Sequence, residues 1–214
     1  MTYFQGEKLT CVRGGRRVFQ DLDFALERGG ALLLTGPNGS GKSSLLRMMA
    51  GLLKPASGQL AWNGRAVADD PEGFRADLHY VGHLDAVKPV LKVSENLTFW
   101  AGLRQGEVAS PIDALSRLAL APLADMPARL LSAGQRRRLT LCRLMTSPAA
   151  LWLLDEPTVG LDKESLAALE SAIAEHRAAG GLVVVATHTA IDVAEAQRLK
   201  LQDYEAGEMP ELIW

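Results

Sequence analysis

A short apolar run, Ala31-Leu32-Leu33-Leu34-Thr35, leads directly into Gly36-Pro37-Asn38-Gly39-Ser40-Gly41-Lys42-Ser43, and a helical pattern begins near Lys42. This junction limits what the chain can become. The run reads as a buried strand, the glycines let the backbone curl into a nest of N–H donors, and the next helix aims its positive end into that nest. Such a nest binds phosphate. Lys42 adds a positive charge for β- and γ-phosphates, and Ser43 adds a hydroxyl for the magnesium ion (Mg2+) that accompanies them. Ser44, on the same helical turn, completes the candidate nucleotide-binding set. A glycine-rich turn that happens to precede a lysine is the bland alternative, and the strand before and helix after it count against it.

A second nucleotide signal lies far along the chain. Ala150-Leu151-Trp152-Leu153-Leu154-Asp155-Glu156 reads as a buried strand ending in two acids. A carboxylate at the carboxyl end of a central strand sits beside a phosphate loop, where Asp155 can hold magnesium directly or through water. Glu156, one residue on, faces away from Asp155 and is placed to orient an attacking water. A solvated acidic pair is the alternative, and the phosphate loop weighs against it.

Between these signals the pattern changes. Leu9 to Val12 and Val18 to Leu26, broken by Gly14-Gly15, suggest two antiparallel strands before the loop strand. Leu45, Leu46, Met49 and Leu53 keep helical spacing until Lys54-Pro55. Gln59 to Trp62 and Leu78 to Val81 read as short strands, separated by a turn-rich piece, Asp69 to Gly73. Residues 94–147 read as helical, with caps at Ser94 and Ser110, Pro111 at a first helical position, and breaks at Pro122 and Pro127. After Ala149 the alternation returns, with a helix from Asp162 to Ala178, a strand from Leu182 to Ala186, a short helix and two final strands. The expected fold is α/β: a mostly parallel sheet around the phosphate loop, N-terminal antiparallel strands, and an inserted helical subdomain. One domain over 1–214 is expected, with the core in 1–93 and 148–214 and the insert in 94–147.

Composition narrows the classes. With 214 residues, 48% hydrophobic and 22% charged, the chain can bury a sizeable core. Its 23 basic and 25 acidic residues leave a formal charge of −2, so no positive field argues for nucleic acid. The Arg136-Arg137-Arg138 run reads as a solvated helix face. Cys11 and Cys142 match no metal or redox spacing and are expected as buried, inert thiols. No apolar run approaches the roughly 20 residues needed to span a bilayer, and no leader pattern opens the chain. Any membrane-spanning part is expected from another chain.

Leu131-Ser132-Ala133-Gly134-Gln135 precedes a helical pattern, and two readings stay open: a helix capped by Ser132, or a helix end whose Ser132 hydroxyl and Gly134 backbone bind a γ-phosphate. Between Gln135 and Asp155 there is room for one helix and one strand. Taken with GPNGSGKS, LWLLDEP, Val159-Gly160-Leu161-Asp162 and Thr187-His188, in this order, the chain resembles the ATP-binding subunits of ABC transporters over essentially its whole length. That resemblance implies a head-to-tail dimer with two ATP molecules sandwiched between phosphate loop and facing signature, Ser132, Gly134 and Gln135. It also implies that Glu156 acts on water and that His188 holds the γ-phosphate. Asp162 either serves the cross-dimer contact or caps the next helix.

Three positions depart from that family pattern. Ala133 replaces a glycine of the signature. Arg13 stands where an aromatic ring usually covers adenine; its guanidinium can stack on the base, or be an exposed loop charge with Phe19 or Phe4 in its place. His83, after Tyr80-Val81-Gly82, stands where a glutamine is usual, facing magnesium or the attacking water. His79 and His83 are four apart but on a strand and its following loop, which argues against a metal pair. Gly82-His83 and LSAGQ make the chain similar to the ATPases of the cytochrome c maturation (haem exporter) system, with a lipid or drug exporter subunit as the alternative. The resemblance implies a peripheral position on the cytoplasmic face of the inner membrane. It implies an integral membrane permease as partner, with a short helix received near Leu84 to Trp100. No Cys-x-x-Cys-His pattern is present to attach haem.

Overall fold

The computed structural model describes residues 3–103 and 110–205. β1 (Phe4–Arg13) and β2 (Arg16–Leu26) pair antiparallel, followed by β3 (Ala31–Thr35), α1 (Lys42–Met49), β4 (Ser57–Trp62) and β5 (Arg65–Ala66). α2 (Pro71–Ala76), β6 (Leu78–Val81), α3 (Val93–Gly102), α4 (Pro111–Arg117), α5 (Ala133–Cys142) and β7 (Leu151–Asp155) continue the chain. α6 (Lys163–Ala178), β8 (Leu182–Ala186) and β9 (Gln197–Lys200) complete it.

The strands form two sheets. One is antiparallel in the order β2-β1-β4-β5, so the N-terminal pair expected from sequence gains two later strands. The other has the order β6-β7-β8-β3-β9, and every neighbouring pair in it is parallel.

Why the second sheet is central follows from its side chains. β3, β7 and β8 are apolar at nearly every position, because successive residues supply opposite faces. Leu32, Leu34, Leu151, Leu153, Leu182 and Val184 pack with α1 and the antiparallel sheet. Ala31, Leu33, Trp152, Leu154, Val183 and Val185 pack with α6 and the helical insert on the other side. Burial on both faces leaves the strand ends as the place for polar chemistry.

Several local expectations need correction. The turn-rich piece before β6 contains α2: Asp70 Oδ1 accepts from Gly73 N at 2.9 Å, and Pro71 occupies the first turn. Ser94 is not a cap. α3 starts at Val93 because Glu95 Oε2 accepts from Lys92 N at 2.8 Å, while Ser94 Oγ donates to Ala124 O at 2.9 Å. Ser110 occupies the cap position of α4, but its side chain makes no capping bond. No helix forms over 189–196: Asp192 N donates to Glu170 Oε1 at 2.8 Å, and Glu195 has φ +52°. Of the two final strands only β9 is present among the described residues; a single 3-10 turn, Leu201–Tyr204, follows it.

Both cysteines are buried. Burial raises both thiols, Cys142 to about 12, which keeps them protonated and unreactive.

One half-buried histidine makes stability depend on pH. His176 stacks on Trp152, with ring centroids 4.0 Å apart, and its Nε2 lies 3.1 Å from Leu182 O. Burial lowers its pKa below the ordinary 6.5, with the Leu182 carbonyl pulling the other way. The unfolded chain therefore binds a proton that the folded chain refuses. Stability is complete above about pH 6.5 and falls as the pH drops from there through the lowered folded value. A His176→Phe variant, followed by urea midpoint between pH 7.5 and 5, is expected to lose less stability on acidification than the parent.

Candidate functional site

Four adjacent parallel strands deliver their carboxyl ends to one cleft of about 560 Å³. β3 delivers the loop residues Asn38, Gly39 and Gly41 to Ser44, and β6 delivers His83. Asp155 and Glu156 end β7, His188 follows β8, and Arg13 and Val18 close one side from the antiparallel sheet.

The loop geometry follows from its glycines. Gly41, which precedes α1, has φ +100°, and a Cβ there would lie 2.6 Å from Val18 Cγ1. Lys42 is buried, and its Nζ donates to Gly36 O at 2.7 Å and Pro37 O at 3.0 Å. The ammonium is thus held inside the loop by loop carbonyls. Gly36, Pro37 and Ser40 support the loop and do not line the cleft, and Ser40 Oγ is buried without a partner among the described residues.

Asp155 is 1% exposed, and Ser43 Oγ donates to its Oδ1 at 3.1 Å. Its Oδ2 is buried with no hydrogen-bond partner among the described residues. Burial raises the pKa of this carboxyl and Glu156 adds to that; the Ser43 hydrogen bond, His83 and Arg47 oppose it. A buried carboxylate with one idle oxygen beside a serine hydroxyl suits a hard divalent cation.

Glu156 begins a different geometry. Its backbone is left-handed, φ +48°, uncommon for a residue with a side chain. Its amide continues the sheet by donating to Ala186 O at 2.8 Å. The carboxylate reaches His188: Oε1 lies 3.0 Å from Nδ1, and Oε2 accepts from the backbone N at 3.3 Å. β7 and β8 thereby bring together two residues that sequence could place only by motif order.

Arg13 reaches the cleft, whereas Phe4 and Phe19 are fully buried in the core and cannot stack on a base there. His79 is also buried, with Nε2 3.0 Å from Ser147 O, and no group of three or more His, Cys, Asp or Glu residues that could hold a metal ion occurs among the described residues.

Ser132, Gly134 and Gln135 are not brought into this cleft. They form a capping box: Ser132 Oγ accepts from Gln135 N at 3.2 Å, and Gln135 Oε1 accepts from Ser132 N at 2.8 Å. Gly134 lies against the turn after β7, where a Cβ would come 2.9 Å from Gly160 O. Asp162 caps α6, its Oδ1 accepting from Ser165 N at 2.8 Å.

The arginine run is not a solvated face. Arg137 is 6% exposed and donates to the main chain at both acids of the cleft, a residue that sequence reasoning missed. Successive helical positions lie about 100° apart, so three consecutive side chains cannot share one face. That spacing was the available signal.

Along 84–100, Val93 and Leu97 pack in the core, while Leu84 and Val90 are 84% and 79% exposed. A groove of about 570 Å³ runs there between Leu84, Val87, Pro89, Ala128 and Arg136. A larger hollow of about 970 Å³, between Arg75, Trp100, Leu103 and Ala150, contains none of the candidate nucleotide-binding residues. No helix among the described residues is long and apolar enough to cross a membrane.

Comparison with known proteins gives a family. A family model described as ABC transporter matches residues 19–159. A cytochrome c biogenesis ATP-binding export protein, CcmA, of Paramagnetospirillum magneticum is 58% identical over 96% of this chain and 96% of that protein. Its counterpart in Rhodospirillum rubrum is 58% identical over 94% of this chain and 86% of its own length. Among solved structures, an ATP-binding subunit of an ABC transporter superposes with a TM-score of 0.78 at 25% identity, covering 87% of this chain and 80% of that one. A putative ABC transporter ATP-binding protein from Pyrococcus furiosus reaches a TM-score of 0.83 at 23% identity, covering 96% and 100%, which bears on fold alone.

Proposed function

The chain belongs to the ABC transporter family as an ATP-binding ATPase, akin to the cytochrome c biogenesis export proteins, and on that premise we propose that it powers a membrane complex of that type by hydrolysing ATP in a site shared between two copies of itself. One observation carries the shared site. The cleft holds the phosphate loop, Asp155, Glu156 and His188, while Ser132 and Gly134 stand outside it on a helix end whose N–H groups suit a phosphate. A second copy, turned head to tail, supplies its own Ser132, Gly134 and Gln135 to the open side.

In this reading the loop amides and Lys42 bind the β- and γ-phosphates, and Arg13 lies over the base. Asp155 and Ser43 would hold magnesium, with His83 near it; the bound ion would neutralise charge on the phosphates. Glu156 orients and polarises the attacking water. His188, held by the Glu156 carboxylate, donates toward the γ-phosphate. No covalent intermediate is required, since phosphoryl transfer rests on positioning and charge stabilisation.

The groove beside Val90 is proposed to receive a short helix of the permease, at the cytoplasmic face of the membrane. Val90 tests this well because it is exposed, whereas the Leu91 carbonyl accepts from Ala128 N and so ties the segment together. Pull-down from detergent-solubilised membranes is expected to recover cytochrome-maturation membrane proteins with the parent chain. A Val90→Asp variant is expected to recover about tenfold less while binding ATP normally, the loss of a buried apolar anchor being worth 1–2 kcal/mol. Recovery of an unrelated lipid or drug permease would overturn the cytochrome reading.

A further inference from the structure

We propose that Arg137 is a positioning residue that couples the two halves of the shared site, transmitting phosphate engagement by the signature of one chain to the Glu156 and His83 loops of the same chain. This rests on the shared-site reading above. Arg137 sits on α5 only a few residues from Ser132 and Gly134, yet both terminal nitrogens of its guanidinium bond the chain's own cleft, while Nε is buried with no partner among the described residues. Nη2 donates to Asp155 O and to Glu156 O, each at 2.7 Å. Nη1 donates to Gly82 O at 3.0 Å and to Asp85 Oδ1 at 3.3 Å. The four hydrogens of the two terminal nitrogens are thus matched by four acceptors on two separate segments.

The targets give the arrangement its meaning. Asp155 O and Glu156 O flank the left-handed Glu156 residue, so one nitrogen pins the peptide that aims the water-orienting carboxylate. Gly82 O immediately precedes His83, and Asp85 closely follows it, so the other nitrogen fixes the His83 loop. Buried as it is, the guanidinium cannot exchange these partners for water. α5 is a rigid lever. When its N-terminus is drawn toward a phosphate on the facing chain, the fork moves with it, and both loops follow. The site loaded by this signature belongs to the partner, whereas the Glu156 so positioned belongs to this chain's own cleft. Occupancy of one ATP site thereby sets the hydrolytic geometry of the other.

Arg137→Lys keeps the charge but offers one nitrogen where two are needed on opposite sides. The test compares parent, Glu156→Gln, Arg137→Lys and Glu156→Gln/Arg137→Lys in the membrane complex. For Arg137→Lys, kcat is expected to fall about 100-fold with KM for ATP changed less than about threefold, and the Hill coefficient is expected to drop from above 1 to about 1. The double variant is expected to retain ATP-dependent dimerisation, since Arg137 is buried within its own chain and does not line the cleft. A Hill coefficient unchanged from the parent would overturn the proposal, as would loss of dimerisation together with a lowered Tm, which marks a structural role only. Arg137→Gln, which keeps a two-pronged amide with fewer donors, is expected to fall below Arg137→Lys in turnover, and parent-like turnover would equally overturn it. If the parent hydrolyses ATP without cooperativity, the shared-site reading itself fails, whatever Arg137 does; if Glu156→Gln retains turnover, the role given to Glu156 fails.

Discussion

Glu156→Gln is expected to reduce ATP turnover about 10³-fold while leaving nucleotide binding intact, within the range that loss of a positioned general base produces. The amide nearly preserves the shape of the carboxylate, and one oxygen remains to accept from the His188 backbone, now 3.3 Å from Oε2. What disappears is the charge that polarises water, about 4 kcal/mol of transition-state stabilisation at this fold-change. With hydrolysis blocked, an ATP-dependent dimer should accumulate on size exclusion. Steady-state phosphate release measures the first effect, and residual turnover above a tenth of the parent would refute the role given to Glu156.

The second large effect is expected at Lys42. Lys42→Ala should weaken ATP binding about 100-fold, about 2.7 kcal/mol, and silence the cycle with it. A charge-assisted hydrogen bond contributes about 1.5–3 kcal/mol, and Lys42 is buried where water screens it little. Its removal also strands Gly36 O and Pro37 O, which now accept from Nζ. Isothermal titration with ATP reads the affinity, and a thermal melt of the ligand-free protein separates this from loop collapse. Parent-like affinity in a folded variant would contradict the assignment.

What sequence reveals here depends on how local the physics is. The phosphate loop was legible because a strand, glycines and a lysine act within a dozen residues. The Leu151 to Asp155 strand was legible because burial on both faces leaves an unbroken apolar run ending in an acid. Arg137 was opaque for the opposite reason. Its four acceptors come from the end of β7 and from the loop after β6, segments far away in the chain, so the helical spacing tells that the three arginines diverge but not which of them is buried. α2 was hidden by its own cap, since Asp70 and Pro71 read as turn residues as readily as a helix start. The His188 contact with Glu156 depends on β8 lying beside β7, an order that no local pattern states.

Ala133 and Gly134 are neighbours on one helix end, yet they are not equally free to vary. Position 133 already carries a methyl group, whereas a methyl at 134 would collide with Gly160 O at 2.9 Å within its own subunit. On the proposed shared site, a substitution scan across this motif would therefore merge two distinct defects at Gly134, a misplaced turn after β7 and a blocked approach to a facing phosphate. Hybrid dimers, with the altered residue in one subunit and the catalytic carboxylate removed from the other, would separate the two by the subunit in which each defect is felt.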